Sequence, residues 1–571
     1  MSTRFSRLPS DDADGGRYYQ NRESLDLTES VSYDDYRRKS VSESVASLID
    51  RGDSNVNATG EKENNAAPLR QSLKQYSTLV WWLLAISLPI LYSGFDSGVL
   101  GGLNSVKAYQ RDFGDCCTPN EISKEDESIV PAFLLSIWDG MGPLGQVAGG
   151  ALGAWFLDRW GRKFSLKIGS LIGIGAILIF VMANTPPNKN IKRGLILAGK
   201  LLQGFGLGIL KIEAYTYMSE VTPVSLKGAV MSIVPMFTLL GQLVGACAIQ
   251  AISTSDKSSA YVYAVGSQWI LAIPPFIVAF FLPESPAFLL KTKRDTQGAL
   301  KSFERLLGPK NNARAAMLKM QETLKEEEKK SANLSYKDCF NAANYRRTLI
   351  IMFAGTVESL FGLPLISSAS LFLQRVGMDH SKSTLFLIGG IVVGIISNTG
   401  STWTVTHIGR RKLTISTLLI TSGLWAVVGF AGIKKSTITP WLTGGIFIAI
   451  VVICGLGCWP ASYAIMGETS SIRLRSRSQA LGNLSKNVVE IIMNTALPYF
   501  YNPDALNLGG KTGFLYTALA GLGALLAYFF VPELRNRSAI EIDHLFAKGV
   551  RSIGSTNWRD TEVEEIPLDE A

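Results

Sequence analysis

Asp96, Asp139, Lys211, Glu213, Glu358 and Glu490 interrupt stretches of sequence that are otherwise strongly apolar. Ionised side chains in such surroundings are expensive. They tend to mark places where protons, ions or polar solutes are handled. A carboxyl sheds that cost by holding a proton, which makes Asp96 a candidate proton carrier. Other chemistries find no support. No nucleophile stands beside a base in a known pattern, and no glycine-rich loop is built to cradle phosphate or a nucleotide. The three histidines and six cysteines show no metal-ligand spacing. Catalysis, a metal and any other cofactor are therefore not expected.

The elements that hold these residues are long apolar runs. Of 571 residues, 47% are hydrophobic and only 18% charged, below the quarter or so typical of soluble chains. Mean hydropathy is +0.19. About 20 apolar residues carry a helix across a bilayer core. Such runs must be helical, because lipid offers backbone amides no partner. Spans are expected at 77–99, 131–157, 164–184, 194–218, 228–252, 262–282, 347–373, 384–406, 412–432, 442–466, 479–500 and 512–531. Cys247, Cys454 and Cys458 fall inside runs and are expected to be reduced. Cys116 and Cys117 are neighbours in a loop, a poor arrangement for a mutual bridge.

Residues 1–76 are polar and rich in Ser, Asp, Arg and Asn, which predicts a disordered tail with exposed lysines such as Lys39 and Lys62. Residues 284–346 read as a charged linker of short helices, and 532–571 as a second tail that ends acidic. The formal charge of +9 reflects Lys and Arg gathered at helix ends, which speaks for membrane topology rather than nucleic acid. Arg159 to Lys163, Lys227, Lys291 to Arg294, Arg410 to Lys412 and Arg473 to Arg477 all fall on the side of the N-terminal tail. That side is expected to be cytoplasmic, with both termini there. Lys189, Lys192 and Arg193 dissent from the other face.

The runs also repeat. Gly161-Arg162-Lys163 recurs 248 positions later as Gly409-Arg410-Arg411-Lys412. Glu220 and Glu468 share that offset, and Pro283-Glu284 recurs as Pro532-Glu533 at an offset of 249. A common offset implies two related halves, 77–283 and 347–531, of six helices each. Paired halves with a site between them form a transporter architecture.

These motifs carry a resemblance. From about Leu91 to Phe546 the chain resembles the sugar porters of the major facilitator superfamily, and among them the fungal maltose and general α-glucoside permeases. The similarity rests on Gly94-Phe95-Asp96-Ser97-Gly98, Asp158-Arg159-Trp160-Gly161-Arg162-Lys163, Tyr217-Met218-Ser219-Glu220-Val221-Thr222-Pro223 and Gly241-Gln242-Leu243. Pro283-Glu284-Ser285-Pro286, Gly409-Arg410-Arg411, Arg473-Leu474-Arg475 and Pro532-Glu533 extend it. The resemblance implies a twelve-helix all-α membrane protein of the plasma membrane, working as a monomer. It further implies that Asp96 takes the coupling proton beside a basic partner in the fourth helix, here Lys200. Gln242 and Asn487 are the implied sugar contacts, since amides donate and accept as hydroxyls require. Asp158, Arg159, Arg162, Glu220, Glu284, Arg410 and Glu468 are implied to form breakable ion pairs that shut the cytoplasmic side.

The chain also departs from these relatives. Asp139, Glu358 and Glu490 stand where amides are usual, and the fourth helix adds Lys211 and Glu213. Glu490 lies 248 positions after Gln242. No proline follows Glu468, and Pro286 is followed by Ala287-Phe288 rather than bulkier aromatics. The extra carboxylates admit two explanations. They bind sugar hydroxyls or pair with Lys200 and Lys211; or the pocket is anionic and takes a cationic or amine solute. The expected function is proton-coupled import of an α-glucoside or related sugar. The rivals are the same fold carrying a non-sugar solute, possibly outward, and a non-transporting sugar sensor.

Overall fold

The computed structural model describes residues 74–115, 128–253, 260–309, 312–331, 335–342, 344–434, 436–471, 474–535, 537, 539–556 and 558. Residues 1–73, Cys116, Cys117, Arg473 and the final acidic residues lie outside them.

Among the described residues twelve long helices make up the two halves. The first half comprises α1 (Ser77–Leu103), α2 (Ala132–Trp160), α3 (Arg162–Met182), α4 (Lys189–Val221), α5 (Val224–Ser253) and α6 (Ala260–Phe281). The second comprises α7 (Tyr345–Ser367), α8 (His380–His407), α9 (Arg410–Ala431), α10 (Thr439–Thr469), α11 (Arg475–Tyr501) and α12 (Gly509–Phe530). Ten of the twelve are apolar enough to count as membrane spans on composition, and the protein is an all-α membrane protein. The two that are too polar are α2 and α11. They have 29 and 27 residues, which at the α-helical rise is about 40 Å each and enough to cross. They pack against each other between the halves: a Cβ on Gly140 of α2 would reach Thr495 Oγ1 of α11 at 2.5 Å. Their polarity is that of an interior seam, not of a lipid face.

Glycines set how closely the helices cross. A Cβ at Gly94 or Gly241 would overlap a carbonyl oxygen of the facing helix, which joins α1 to α5. Gly149 and Gly204 do the same between α2 and α4, and Gly355 does so between α7 and α11. Without a hydrophobic force between helices in lipid, close backbone approach supplies the dispersion contact that holds them. In α7 the helix breaks at Gly362, whose φ of +101° is left-handed and suits glycine. The carbonyl of Phe361 freed by the break accepts from Trp425 Nε1 at 2.9 Å, and Trp425 is stacked on Tyr516.

Between the halves in sequence lie the short helices Pro286–Phe288 and Thr296–Leu307 and a polar 19-residue helix, Ala313–Ser331. Thr296–Leu307 is capped by Asp295, whose Oδ1 accepts from Gly298 N at 2.8 Å. It buries Ala299, Phe303, Leu306 and Leu307. The segment after α12 is more than a tail. A helix at Ala539–Ala547 packs Ile542, Leu545 and Phe546 on Ile350, Ile351, Val531 and Leu534. Arg347 pairs there with Asp543. The i, i+3, i+4 spacing of those three apolar residues was the sequence signal for it. Cys454 and Cys458 are buried free thiols, and Cys247 is a free thiol on an exposed position.

Candidate functional site

Asp96 is buried in α1. The expected contact with Lys200 is absent. Gln203 on α4 donates its side-chain amide to Asp96 Oδ1, and the same Gln203 nitrogen contacts Gln268 Oε1 of α6. Lys200, nearly one turn earlier, faces α2 and donates to Asp139 Oδ1 at 2.8 Å. Asn104 adds a weaker bond to the same oxygen at 3.3 Å. A lysine is a compact point charge that needs a carboxylate when buried. Asp139 supplies it, so Asp139 stands as the partner of Lys200 rather than as a free solute ligand.

The second half holds a similar arrangement. Glu358 on α7 accepts from Trp459 Nε1 at 2.8 Å and Tyr463 OH at 2.6 Å, both on α10. Lys486 on α11 pairs with its other oxygen at 2.8 Å and donates to Tyr463 OH at 3.1 Å. The Glu358 carboxylate is thereby held on three sides. Lys211 on α4 donates to Gln146 Oε1 of α2 at 2.9 Å. Gln242, Asn487 and Glu490 are partly exposed and form no hydrogen bond among the described residues. Lys486, Gln203, Gln146 and Gln268 were missed in the sequence. Lys486 alone left a signal, a charge four residues before Glu490 on one helix face.

At the end of the bundle that carries the N-terminus of α1, each half builds the same hydrogen-bonded corner. Arg162 pairs with Glu220 and donates from Nη1 to Leu157 O at 3.1 Å. Glu284 accepts from Arg162 N at 2.8 Å, Ser285 N at 3.1 Å and Lys163 N at 3.4 Å. Burial pushes the Glu284 carboxyl above the ordinary glutamate value, while these amides pull it back. In the second half Arg410 pairs with Glu468 at 2.8 Å and donates to Val405 O at 3.1 Å. Glu533 accepts from Arg410 N at 2.9 Å. The sequence repeat is thus a repeat of bonds. Each corner ties helices within its own half, and none of these pairs crosses between halves. Asp158 and Arg159 are exposed, with no partner among the described residues. Glu213, fully buried on α4, has no hydrogen bond on either carboxylate oxygen among the described residues.

The bonds that do cross lie at the opposite end. Ala132 N, at the start of α2, donates to Asp504 Oδ2 at 2.8 Å. Asn502 Nδ2 donates to Val130 O at 3.0 Å. Ser370 meets Ser105 at 3.2 Å, and Gln250 meets Ser381 at 3.3 Å. Among the described residues no hydrogen bond or ion pair joins the halves at the Arg162 and Arg410 end. Among the described residues the hydrogen bonds that join the halves thus lie at one end, and the helices α2 and α11 meet between them.

The model of the sugar (and other) transporter family matches residues 81–546. The alpha-glucosides permease MPH3 of Saccharomyces cerevisiae is 26% identical over 563 residues, covering 96% of this chain and 90% of that protein. The MFS transporter fmqE of Aspergillus fumigatus is 29% identical over 436 residues, covering 73% and 78%. In fold the chain is similar to the inward open conformation of the xylose transporter XylE from E. coli. That likeness has a TM-score of 0.63 at 18% identity and covers 82% of this chain and 99% of that one. Twelve helices in two like halves, repeated corner by corner, and a family match over most of the length agree: the chain belongs to the sugar (and other) transporter family.

Proposed function

We propose that this transporter is a proton-coupled importer of a neutral α-glucoside or related sugar, acting as a monomer in the plasma membrane by alternating access. One observation carries it, the balance of charge between the halves. Lys200 faces Asp139, and Lys486 faces Glu358. Lys211 and Glu490 bring one charge of each sign. Of the acids on α1, α2, α7 and α11, away from the helix ends, Asp96 is left over, held only by a neutral amide, while Glu213 on α4 is fully buried away from solvent. A cavity so balanced suits an uncharged solute, and its odd acid suits a proton. An anionic pocket built for a cation would leave more acids unmatched.

The basic loops set the orientation, with the Arg162 and Arg410 end in the cytoplasm. The described state then opens inward. In the outward state a proton enters on Asp96 and removes the cost of its charge. Sugar hydroxyls meet Gln242, Asn487 and Glu490, whose hydrogen-bonding capacity is unspent. The halves rock about the seam, the pins at Asn502, Asp504 and Ser370 form, and the cytoplasmic side parts. Sugar and proton leave inward.

The test is uptake of labelled maltose, trehalose, sucrose, glucose and one cationic polyol into cells without their own sugar uptake. The account predicts entry of at least one disaccharide and exclusion of the cation. A surface-expressed protein that moves the cation and no sugar would overturn it and favour the amine carrier, which the unbonded carboxylate of Glu490 motivates.

A further inference from the structure

Lys200, Lys211 and Lys486 sit on α4 and α11 among buried and half-buried acids, yet they are not used alike. Lys200 and Lys486 each touch a carboxylate at 2.8 Å from their own half. Lys211 touches only the neutral Gln146, although an ammonium has three protons to give. Glu490 is partly exposed and makes no hydrogen bond among the described residues. One belongs to α4 of the first half and the other to α11 of the second. The antiparallel α2 and α11 touch at Gly140 and Thr495; six residues further along α2 stands Gln146, which holds Lys211, and five residues back along α11 stands Glu490, at the same level. The two thus face one space from opposite walls, with opposite signs and with bonding capacity to spare.

We propose that Lys211 and Glu490 are a split charge pair, one member on each half, that selects an uncharged polyhydroxylated solute by bonding its hydroxyls from both sides. The assignment rests on the sugar-transport function above and adds the residues that set solute charge. A hydroxyl donates to a carboxylate and accepts from an ammonium at once. A cationic solute meets Lys211 and an anionic one meets Glu490, so each is repelled by one wall. Because the pair is divided between the halves, its attraction also favours their approach over a bound neutral solute. Removing one member leaves the other uncompensated and moves the charge preference in a defined direction.

The experiment measures transport of maltose, sucrose and trehalose, each beside its amino-deoxy and its uronate analogue. The wild type, Lys211→Gln, Glu490→Gln and Lys211→Glu/Glu490→Lys are compared, with surface protein quantified by labelling. Loss of Lys211 should raise the amino-to-neutral uptake ratio about tenfold, and loss of Glu490 should raise the uronate-to-neutral ratio by a similar factor, the effect of one uncompensated charge at about 1.4 kcal/mol. The doubly exchanged variant should return to the neutral preference. Should a variant fail to reach the surface, competition in the wild type decides, with both charged analogues predicted to inhibit neutral uptake about tenfold more weakly than the unlabelled parent sugar. Equal inhibition by charged and neutral analogues, or unchanged ratios in surface-expressed single variants, would overturn the pair. No uptake of any neutral sugar by the wild type would instead overturn the transport function on which it rests.

Discussion

Asp96 and Lys200 show what a residue-level reading can and cannot deliver. That Asp96 is charged amid apolar sequence was legible, because apolar runs expose every interruption, while Lys200 came from the resemblance. Which acid each basic residue meets was not, because it depends on the rotation of α4. Lys200 and Gln203 are three positions apart, and the helix aims one at α2 and the other at α1. The Lys200–Asp139 pair gives a prediction. Lys200→Gln leaves Asp139 charged and unmatched, which costs about 3 kcal/mol when one partner of a buried pair is removed. Detergent-solubilised protein should melt several degrees lower, and Asp139→Asn in the same chain should recover much of the loss. An additive double-mutant cycle would show that the two do not act together. Lys486 makes the same point from the other side. Its importance comes from Glu358 and Tyr463, more than 20 residues away in sequence, and only packing reveals them.

At the scale of elements, the helices that hydropathy underrates are the ones that meet between the halves. Lipid-facing spans are easy to find because every face must be apolar. The α2 and α11 helices face each other at the seam between the halves, so they tolerate polar residues. Glycine contacts fix their neighbours. Gly149→Val puts a branched side chain against the backbone of α4. Overpacking of this kind costs about 1–3 kcal/mol, and surface expression and melting temperature should both fall, whereas Gly142→Ala, which meets open space, should leave them unchanged. A second prediction concerns the start of α2. Asp504 of the second half accepts from Ala132 N of the first, a capping bond worth about 1 kcal/mol. Asp504→Ala should shift the halves about fivefold toward opening at that end. Modification of a cysteine placed on the outer part of α2 should accelerate accordingly, and an unchanged rate would show that the bond does not pin the halves.

For the whole molecule, the repeat offset of 248 was the most informative sequence feature. It foretold two halves, and the structure returns it as matching corners around Arg162 and Arg410. The corners tie helices within each half, and under the proposed mechanism they keep each half rigid while the seam opens. Arg162→Ala should therefore slow turnover and lower stability without altering which solute is carried, as comparison of maximal rate and substrate profile would reveal. The docked Ala539–Ala547 helix was hidden in a segment whose overall polarity masks three well-spaced apolar residues. The central claim is that Asp96 couples a proton to sugar entry. The most direct measurement is external pH, recorded while labelled disaccharide enters unbuffered cells bearing the wild type or Asp96→Asn. The account predicts alkalinisation in step with sugar uptake for the wild type, and loss of both the pH change and sugar accumulation in the variant, with exchange of sugar across the membrane retained. Sugar accumulation without alkalinisation, or proton entry that persists in Asp96→Asn, would contradict it.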